Sequence, residues 1–258
     1  MAFFKKLINK IDKADKSNDF QPRWYAILFK PLFIARRWRF KKVLAFSKKY
    51  NFENKKILDV GCGTKPYENL FTNCHYAGTD VEGAGHDDNL KKVDKFYDGK
   101  DIPFGDGEFD VIICTEVLEH SEYPEALAKE MHRVLKKDGI LFVTIPFVWN
   151  EHAIPFDFRR YTTFGLQKLF KESSFTIEEI EPTSGIFGTI GQLLSDFLFG
   201  ILFNTIRIKG YHKRFIFQKI FSLIICFPIQ VISLTLDYIF NKKGVALGYS
   251  VIAKKNEI

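Results

Sequence analysis

The chain has 258 residues, 46% of them hydrophobic, and a formal net charge of +7, which suits one α/β domain with attachments and a core of its own. Its four cysteines, Cys62, Cys74, Cys114 and Cys226, make no Cys-x-x-Cys pair, so free thiols in a reducing, cytosolic setting are expected. The opening Met1-Ala2-Phe3-Phe4-Lys5-Lys6 lacks the unbroken apolar core and small-residue cleavage site of a signal peptide, so export is not expected.

Charge is unevenly spread along the chain. Residues 1–56 carry 16 basic against 4 acidic side chains, residues 57–182 carry 13 against 24, and residues 183–247 carry 7 against 2. Basic flanks interleaved with aromatics suit an anionic membrane surface or nucleic acid. Residues 1–13 place Phe4, Leu7, Ile8 and Ile11 on one helical face among Lys5, Lys6, Lys10 and Lys13, a basic amphipathic helix in outline. Residues 22–49 repeat the theme with Trp24, Tyr25, Phe29, Phe33, Trp38 and Phe40 among seven arginines and lysines between Arg23 and Lys42.

From residue 56 strand and helix patterns alternate, which argues for a parallel sheet wound by crossover helices. Strands are expected near 56–60, 75–80, 93–97, 109–114 and 139–146. A helix of about 15 residues, Glu122 to Lys136, is expected to stop at Gly139 in the left-handed conformation. A second runs from Thr163 to Ser173 with Leu166, Leu169 and Phe170 as its buried stripe. Phe175 to Ile180 and Gly248 to Ala253 supply the last two strands. Between them, residues 183–247 hold two apolar tracts: Ile186 to Ile206 with only Asp196 charged, and Ile220 to Leu236 with no charge and Pro228 inside. Each approaches the roughly 17–25 residues needed to span a bilayer. Two crossings would carry Arg207, Lys209, Lys213 and Arg214 outside, against the positive-inside rule, so in-plane or re-entrant helices are expected. A helical lid or dimer interface is the alternative.

The first strand, Lys56 to Val60, runs into Gly61-Cys62-Gly63, a turn in which glycine lets a ligand approach the bare backbone. About 20 residues further on, Asp80 closes the next apolar run, where an acid can take two ribose hydroxyls. A nicotinamide fingerprint would require glycine at Pro66. Asp59-x-Gly61-x-Gly63 instead resembles the first motif of class I S-adenosylmethionine-dependent methyltransferases, and the likeness extends from Ile57 to about Glu181 and resumes in the final strand. It implies Asp59, Gly61, Cys62 and Gly63 around the methionine part of the cofactor, Asp80 on the ribose and Val81 beside the adenine. Asp98-Gly99 with Ile102-Pro103-Phe104 resembles a further family motif, implying Asp98 at the adenine amino group and the Gly99 amide at a ring nitrogen. Cys114-Thr115-Glu116-Val117-Leu118-Glu119-His120 resembles the Glu-Val-Leu-Glu-His segment of ubiquinone-type O-methyltransferases, which places Thr115 at the cofactor edge. Lys65 departs from the small residue usual in the first motif; it either pairs with the cofactor carboxylate or points to solvent.

Methyl transfer from a sulfonium asks the protein to align an acceptor, exclude water and, for a hydroxyl acceptor, remove a proton. Glu116, Glu119 and His120 would share one face if their segment is helical, and His152 follows the fifth strand. Two readings stand: Glu116, Glu119, His120 and His152 bind Mg²⁺ or a similar ion, or His120 or His152 acts alone as base with the acids in support. Asp157-x-x-Arg160-Tyr161-Thr162 looks like a stretch in membrane-associated glycan-pathway relatives. Arg160 would grip a sugar or phosphate there, or pair with Asp157 to order the loop while Thr162 or Thr163 caps the next helix.

The strand and helix pattern and the resemblance together predict a Rossmann-like class I methyltransferase fold with a seven-stranded, mostly parallel sheet, its last strand antiparallel as the resemblance implies, and helices on both faces. The expected organisation is basic aromatic N-terminal helices over 1–55, a cofactor-binding core over 56–182, a hydrophobic helical insertion over 183–247, and a last strand and tail over 248–258. The acceptor expected is a membrane-embedded or lipid-linked glycan or quinone-like molecule, met at the cytoplasmic face of the cell membrane by a peripheral or monotopic protein. An RNA methyltransferase using the basic N-terminal arm and a non-catalytic membrane scaffold are the rivals.

Overall fold

A computed structural model describes residues 19–83, 88–205, 211–240 and 244–256. The amphipathic pattern at 1–13 and the cations Arg207 and Lys209 lie outside them. Seven strands form one sheet: β1 Lys56–Val60, β2 His75–Val81, β3 Lys95–Tyr97, β4 Phe109–Thr115, β5 Leu135–Pro146, β6 Phe175–Pro182 and β7 Gly248–Lys255, in the order β3-β2-β1-β4-β5-β7-β6. β1 to β5 pair in parallel, and β7 enters antiparallel between β5 and β6. The near-continuous apolar runs of β1 and β4 belong to strands covered on both faces, and Ile57, Leu58, Ile112 and Ile113 are fully buried.

The helices described are α1 Phe33–Lys49, α2 Pro124–Val134, α3 Thr163–Glu172, α4 Ile186–Thr205, α5 Tyr211–Phe221 and α6 Phe227–Phe240, with a π-helical turn at Ser222–Cys226 joining the last two. Three expectations change. α2 ends at Val134, because Leu135 already pairs with Phe109 as the first residue of β5, and the left-handed residue is Asp138 (φ 59°) rather than Gly139. β1 turns into a short 3₁₀ helix, Glu68–Leu70, and not into an α-helix. β2 connects to β3 through another such turn at Asp88–Leu90.

The chain divides into two compact units: Lys42–Thr183 with Leu247–Ile258, and Met1–Lys41 with Ser184–Ala246. The N-terminal segment and the apolar insertion, expected as separate attachments, therefore form one helical unit. In the sheet unit, the end of α1 buries Val43 and Phe46, and Phe46 stacks on Phe142 with ring centroids 4.5 Å apart. Its outward cations meet the acids of β6. Lys42 pairs with Glu181, Lys49 with Glu179 at 2.5 Å, and Lys254 of β7 with Glu178 at 2.6 Å. Part of the basic flank thus neutralises the acidic core rather than facing a polyanion.

Candidate active site

The glycine turn is built by strand register. Val60 pairs with Thr79 on one side and Cys114 on the other, and the amides of Gly61 and Cys62 both donate to the Thr79 carbonyl, at 2.8 and 3.1 Å. Gly61 and Gly63 take positive φ, 70° and 47°, where glycine alone is unstrained. They serve different ends. A Cβ on Gly61 would lie 2.3 Å from Cγ2 of Val117, so the turn after β1 abuts the turn after β4, whereas a Cβ on Gly63 would meet nothing within 4 Å. The bare backbone of Gly63 therefore faces open space.

At the end of β2, Asp80 accepts from the Gly63 amide (2.8 Å) and the Val81 amide (2.7 Å), with the Lys91 ammonium 3.6 Å away. A carboxylate offers about four lone-pair directions, so two hydrogen bonds leave capacity for a diol. Asp98 is held the same way, its Oδ1 taking the amides of Lys100 (2.9 Å) and Asp101 (2.8 Å), which keep its carboxyl below the ordinary range. Gly99, at φ 91°, lies within 4.0 Å of Val81 by its Cβ position, bringing together two of the three residues expected at the adenine. The open cradle over Gly63 and the oriented Asp80 fit S-adenosylmethionine.

Two residues of the first motif do other work. Asp59 is buried beneath the turn and accepts the Tyr76 hydroxyl at 2.7 Å, so it supports the turn instead of reaching a ligand. Lys65 chooses neither cofactor carboxylate nor solvent. It lies across Gly78 and pairs at 2.5 Å with Asp94, which also accepts the Gly78 amide. Cys62 is buried and its thiol is pushed up to about 12 by that burial, so it offers a ligand only its backbone.

Burial raises the Asp59 carboxyl from 3.8 to about 7. Between about pH 4 and 7 the folded chain keeps that proton and the unfolded chain has lost it, so this group's contribution to stability falls as pH rises through the window and is constant above it. Asp59→Asn, which keeps an acceptor for Tyr76, is expected to flatten the dependence of Tm on pH between about 4 and 7, read by thermal melts across that range.

The second half of the site lies at the carboxyl ends of β4 and β5. Residues 116–120 form a bend and turn, not a helix, with Glu116 at φ 56°. Glu116 accepts from the Thr144 hydroxyl at 3.0 Å, which directs it to β5 and away from Glu119 and His120. Among the described residues Glu119, His120 and His152 bring one ligand atom each to within 4.8 Å of one another; Glu116 is not part of that group. The two imidazole rings meet edge to face, centroids 4.7 Å apart.

The loop after β5 holds both histidines. The Phe156 carbonyl lies 2.6 Å from His120 Nδ1, and a carbonyl only accepts, so Nδ1 carries the hydrogen and Nε2 is left as the basic nitrogen. Nε2 stands 3.6 Å from the buried Glu119, and burial pulls the imidazole below its usual range. Asp157, itself buried, accepts the His152 amide at 2.9 Å and lies 3.2 Å from its Nδ1. Arg160 grips Asp157 with two nitrogens, at 2.6 and 2.7 Å, and donates to the carbonyls of Asn150 and Arg159. This fork holds Asp157 well below the usual carboxylate range. The loop-ordering alternative is therefore the one seen for Arg160, and Thr162 caps α3 by accepting the Gly165 amide at 3.1 Å.

Mg²⁺ selects oxygen ligands in an octahedron. One carboxylate with two imidazoles, and Glu116 turned to Thr144, does not fit it. Val117, Phe156 and Lys91 are contributors to which the sequence assigned no role. Val117 sat between the motif acids without periodicity to mark it, and the other two act through a carbonyl or from an unmarked loop.

A model of a methyltransferase domain matches residues 33–181. An uncharacterized protein of Methanocaldococcus jannaschii is 37% identical over 103 residues, 36% of this chain and 43% of that protein. A tRNA U34 carboxymethyltransferase of Nautilia profundicola is 32% identical over 137 residues, 48% of this chain and 45% of that one. The match thus spans less than half the length of these relatives. The crystal structure of the [4+2]-cyclase SpnF superposes with a TM-score of 0.52 at 18% identity, covering 92% of this chain and 84% of that one, which shows the fold.

Proposed function

Because this chain belongs to the methyltransferase-domain family, we propose that it moves a methyl group from S-adenosylmethionine to a hydroxyl of a membrane-embedded or lipid-linked acceptor, at the cytoplasmic face of the membrane. The observation that carries the transfer reading is the contact of Gly61 with Val117, which sets the cofactor turn beside the turn bearing His120. Bound over Gly63, the sulfonium would supply an already activated methyl group. Gly61 and Gly63 admit the ligand to the backbone, Asp80 takes the ribose hydroxyls, and Val81, Asp98 and Gly99 border the adenine.

His120 Nε2 accepts the acceptor's proton, since Nδ1–H is engaged by Phe156. The imidazolium so formed lies 3.6 Å from Glu119, with the Asp157 and Glu116 carboxylates favouring its charge, and His152 borders the same space under the hold of Asp157. Proton removal as the new O–C bond forms is general base catalysis, for which an imidazole neutral at pH 7 is suited. The hydroxyl acceptor follows from this base, and its membrane setting from the apolar insertion. An RNA acceptor is disfavoured because Lys42 and Lys49 of the basic flank already pair with β6 acids.

The test is incubation of membranes and purified protein with methyl-labelled S-adenosylmethionine, followed by separation of lipid-extractable from aqueous products. Label in the lipid fraction, absent with Asp80→Ala, is expected. Label confined to RNA or small soluble molecules overturns the acceptor class, and a cellular role that survives Asp80→Ala identifies a scaffold.

A further inference from the structure

The helical unit has its polarity reversed. α4 runs antiparallel to the α5–α6 rod, as the succession of contacts Gly188 with Asp237, Gly191 with Ser233, and the Ser195 carbonyl with Cys226 shows. This seam is small and polar. The Asp237 carboxylate caps α4 by accepting the amides of Phe187 (2.9 Å) and Gly188 (2.8 Å), and Cβ atoms at Gly185, Gly188 and Gly191 would run into Asp237 or Ser233 at 2.0–2.5 Å. Gln192 and Gln230 are fully buried: Gln192 bonds the Pro31 carbonyl and the Ala35 amide, and Gln230 the Lys30 carbonyl.

The outward positions are apolar. On α4 they are Ile190, Leu194, Phe197 and Ile201, spaced as one helical face; on the other rod Ile224, Ile232 and Ile239 are each about 60% exposed. The continuous helix Arg214–Phe240 has a mean hydropathy of 2.0 in its most apolar stretch, of which only 17% is buried. A core helix of a water-soluble protein shares that composition but is covered. Polar groups sealed inside, small residues at the crossing and bare aliphatics outside are the arrangement of helices packed in hydrocarbon.

We propose that the outer faces of α4 to α6 lie in the acyl layer of a lipid leaflet. The flanking charge names the headgroup: in the sequence Arg207 and Lys209 fall between α4 and α5, Lys213 and Arg214 in the first turn of α5, and Lys242 and Lys243 follow α6, against Asp196 and the inward Asp237. Anionic headgroups suit that set. The chain leaves β6 and re-enters β7 at one place, where the Thr183 amide donates to the Gly248 carbonyl, so a full crossing would carry the four cations to the far side. An in-plane seat keeps them at the headgroups, and Trp24 at 73% exposure, with Tyr25 and Phe29, adds aromatics of the kind enriched there. The inference stands without the methyl-transfer reading.

Flotation of the purified full chain with vesicles of phosphatidylcholine, alone or with phosphatidylglycerol, tests it. Recovery with both vesicle types, retained in molar salt, is expected, because apolar burial is not screened. Phe197→Asp combined with Ile232→Asp is expected to cut recovery at least tenfold with circular dichroism and S-adenosylhomocysteine binding unchanged; Ile224→Ser, a milder change, should weaken it in the same direction. The inference is overturned by a chain that stays unfloated with both vesicles, by salt-reversible binding to anionic vesicles alone, by a double variant that floats as before, or by a lipid-free dimer that the double variant dissociates.

Discussion

His120→Asn is expected to lower the rate of methyl transfer by about 10²- to 10⁴-fold, the range general base catalysis supplies. Affinity for S-adenosylhomocysteine should be unchanged, because the cofactor cradle is made by Gly61, Gly63 and Asp80 and not by the imidazole. The geometry is the reason: with Nδ1–H held by the Phe156 carbonyl, asparagine has no basic nitrogen to put where Nε2 stands. Single-turnover rates set against calorimetric titration separate the two effects.

The same variant fixes the pH profile. Burial lowers the His120 pKa, so the basic form predominates at neutral pH, and the wild-type rate is expected to stay level as pH falls until it drops below the ordinary imidazole value of about 6.5. That acid limb should vanish in His120→Asn. His152→Asn is expected to lower the rate less than His120→Asn in the same single-turnover assay; the reverse ranking would make His152 the base. Activity lost to EDTA and restored by one divalent ion would instead make Glu119, His120 and His152 ligands.

The two glycines of the turn should fail in different ways. Gly61→Ala combines a left-handed backbone with a Cβ 2.3 Å from Val117, a branched side chain with no free end to swing aside. Strain of about 1 kcal/mol and overpacking of about 1–3 kcal/mol together predict a fall in Tm of several degrees. Gly63→Ala carries only the backbone strain, since nothing lies near its Cβ, so it should fold almost normally. Its methyl group enters the space read as the cofactor's, and S-adenosylhomocysteine affinity should drop at least tenfold. Thermal melts beside calorimetric titrations check both, and a Gly63→Ala protein with full affinity would remove the cofactor from that cradle.

Seen from these residues, the sequence by itself determined the order and identity of the strands. An apolar run is a property of consecutive residues, and burial of a parallel strand on both faces demands it. Gly61 and Gly63 were legible for the same reason, because the turn's requirement for positive φ is local. The antiparallel last strand came from the family likeness and is present in the sheet. The end of α2 was misread, because pairing of Leu135 with Phe109 outweighed a periodicity that ran on to Lys136.

Only the tertiary structure decided which motif residues meet. Glu116 and Glu119 belong to one five-residue motif with His120, yet the bend after β4 sends the first to Thr144 and the second to the imidazoles. Arg160 went to Asp157, and Lys65 to Asp94 across Gly78. Lys42 and Lys49, read as part of a basic arm, answer acids more than 120 residues away on β6. The apolar tracts gave their composition in advance but not which positions are covered: Gln192 and Gln230 are buried, and Ile190 and Ile232 are exposed. Each of these outcomes is set by register and packing between distant segments, where a side chain's partner is fixed by geometry that no short window of sequence contains.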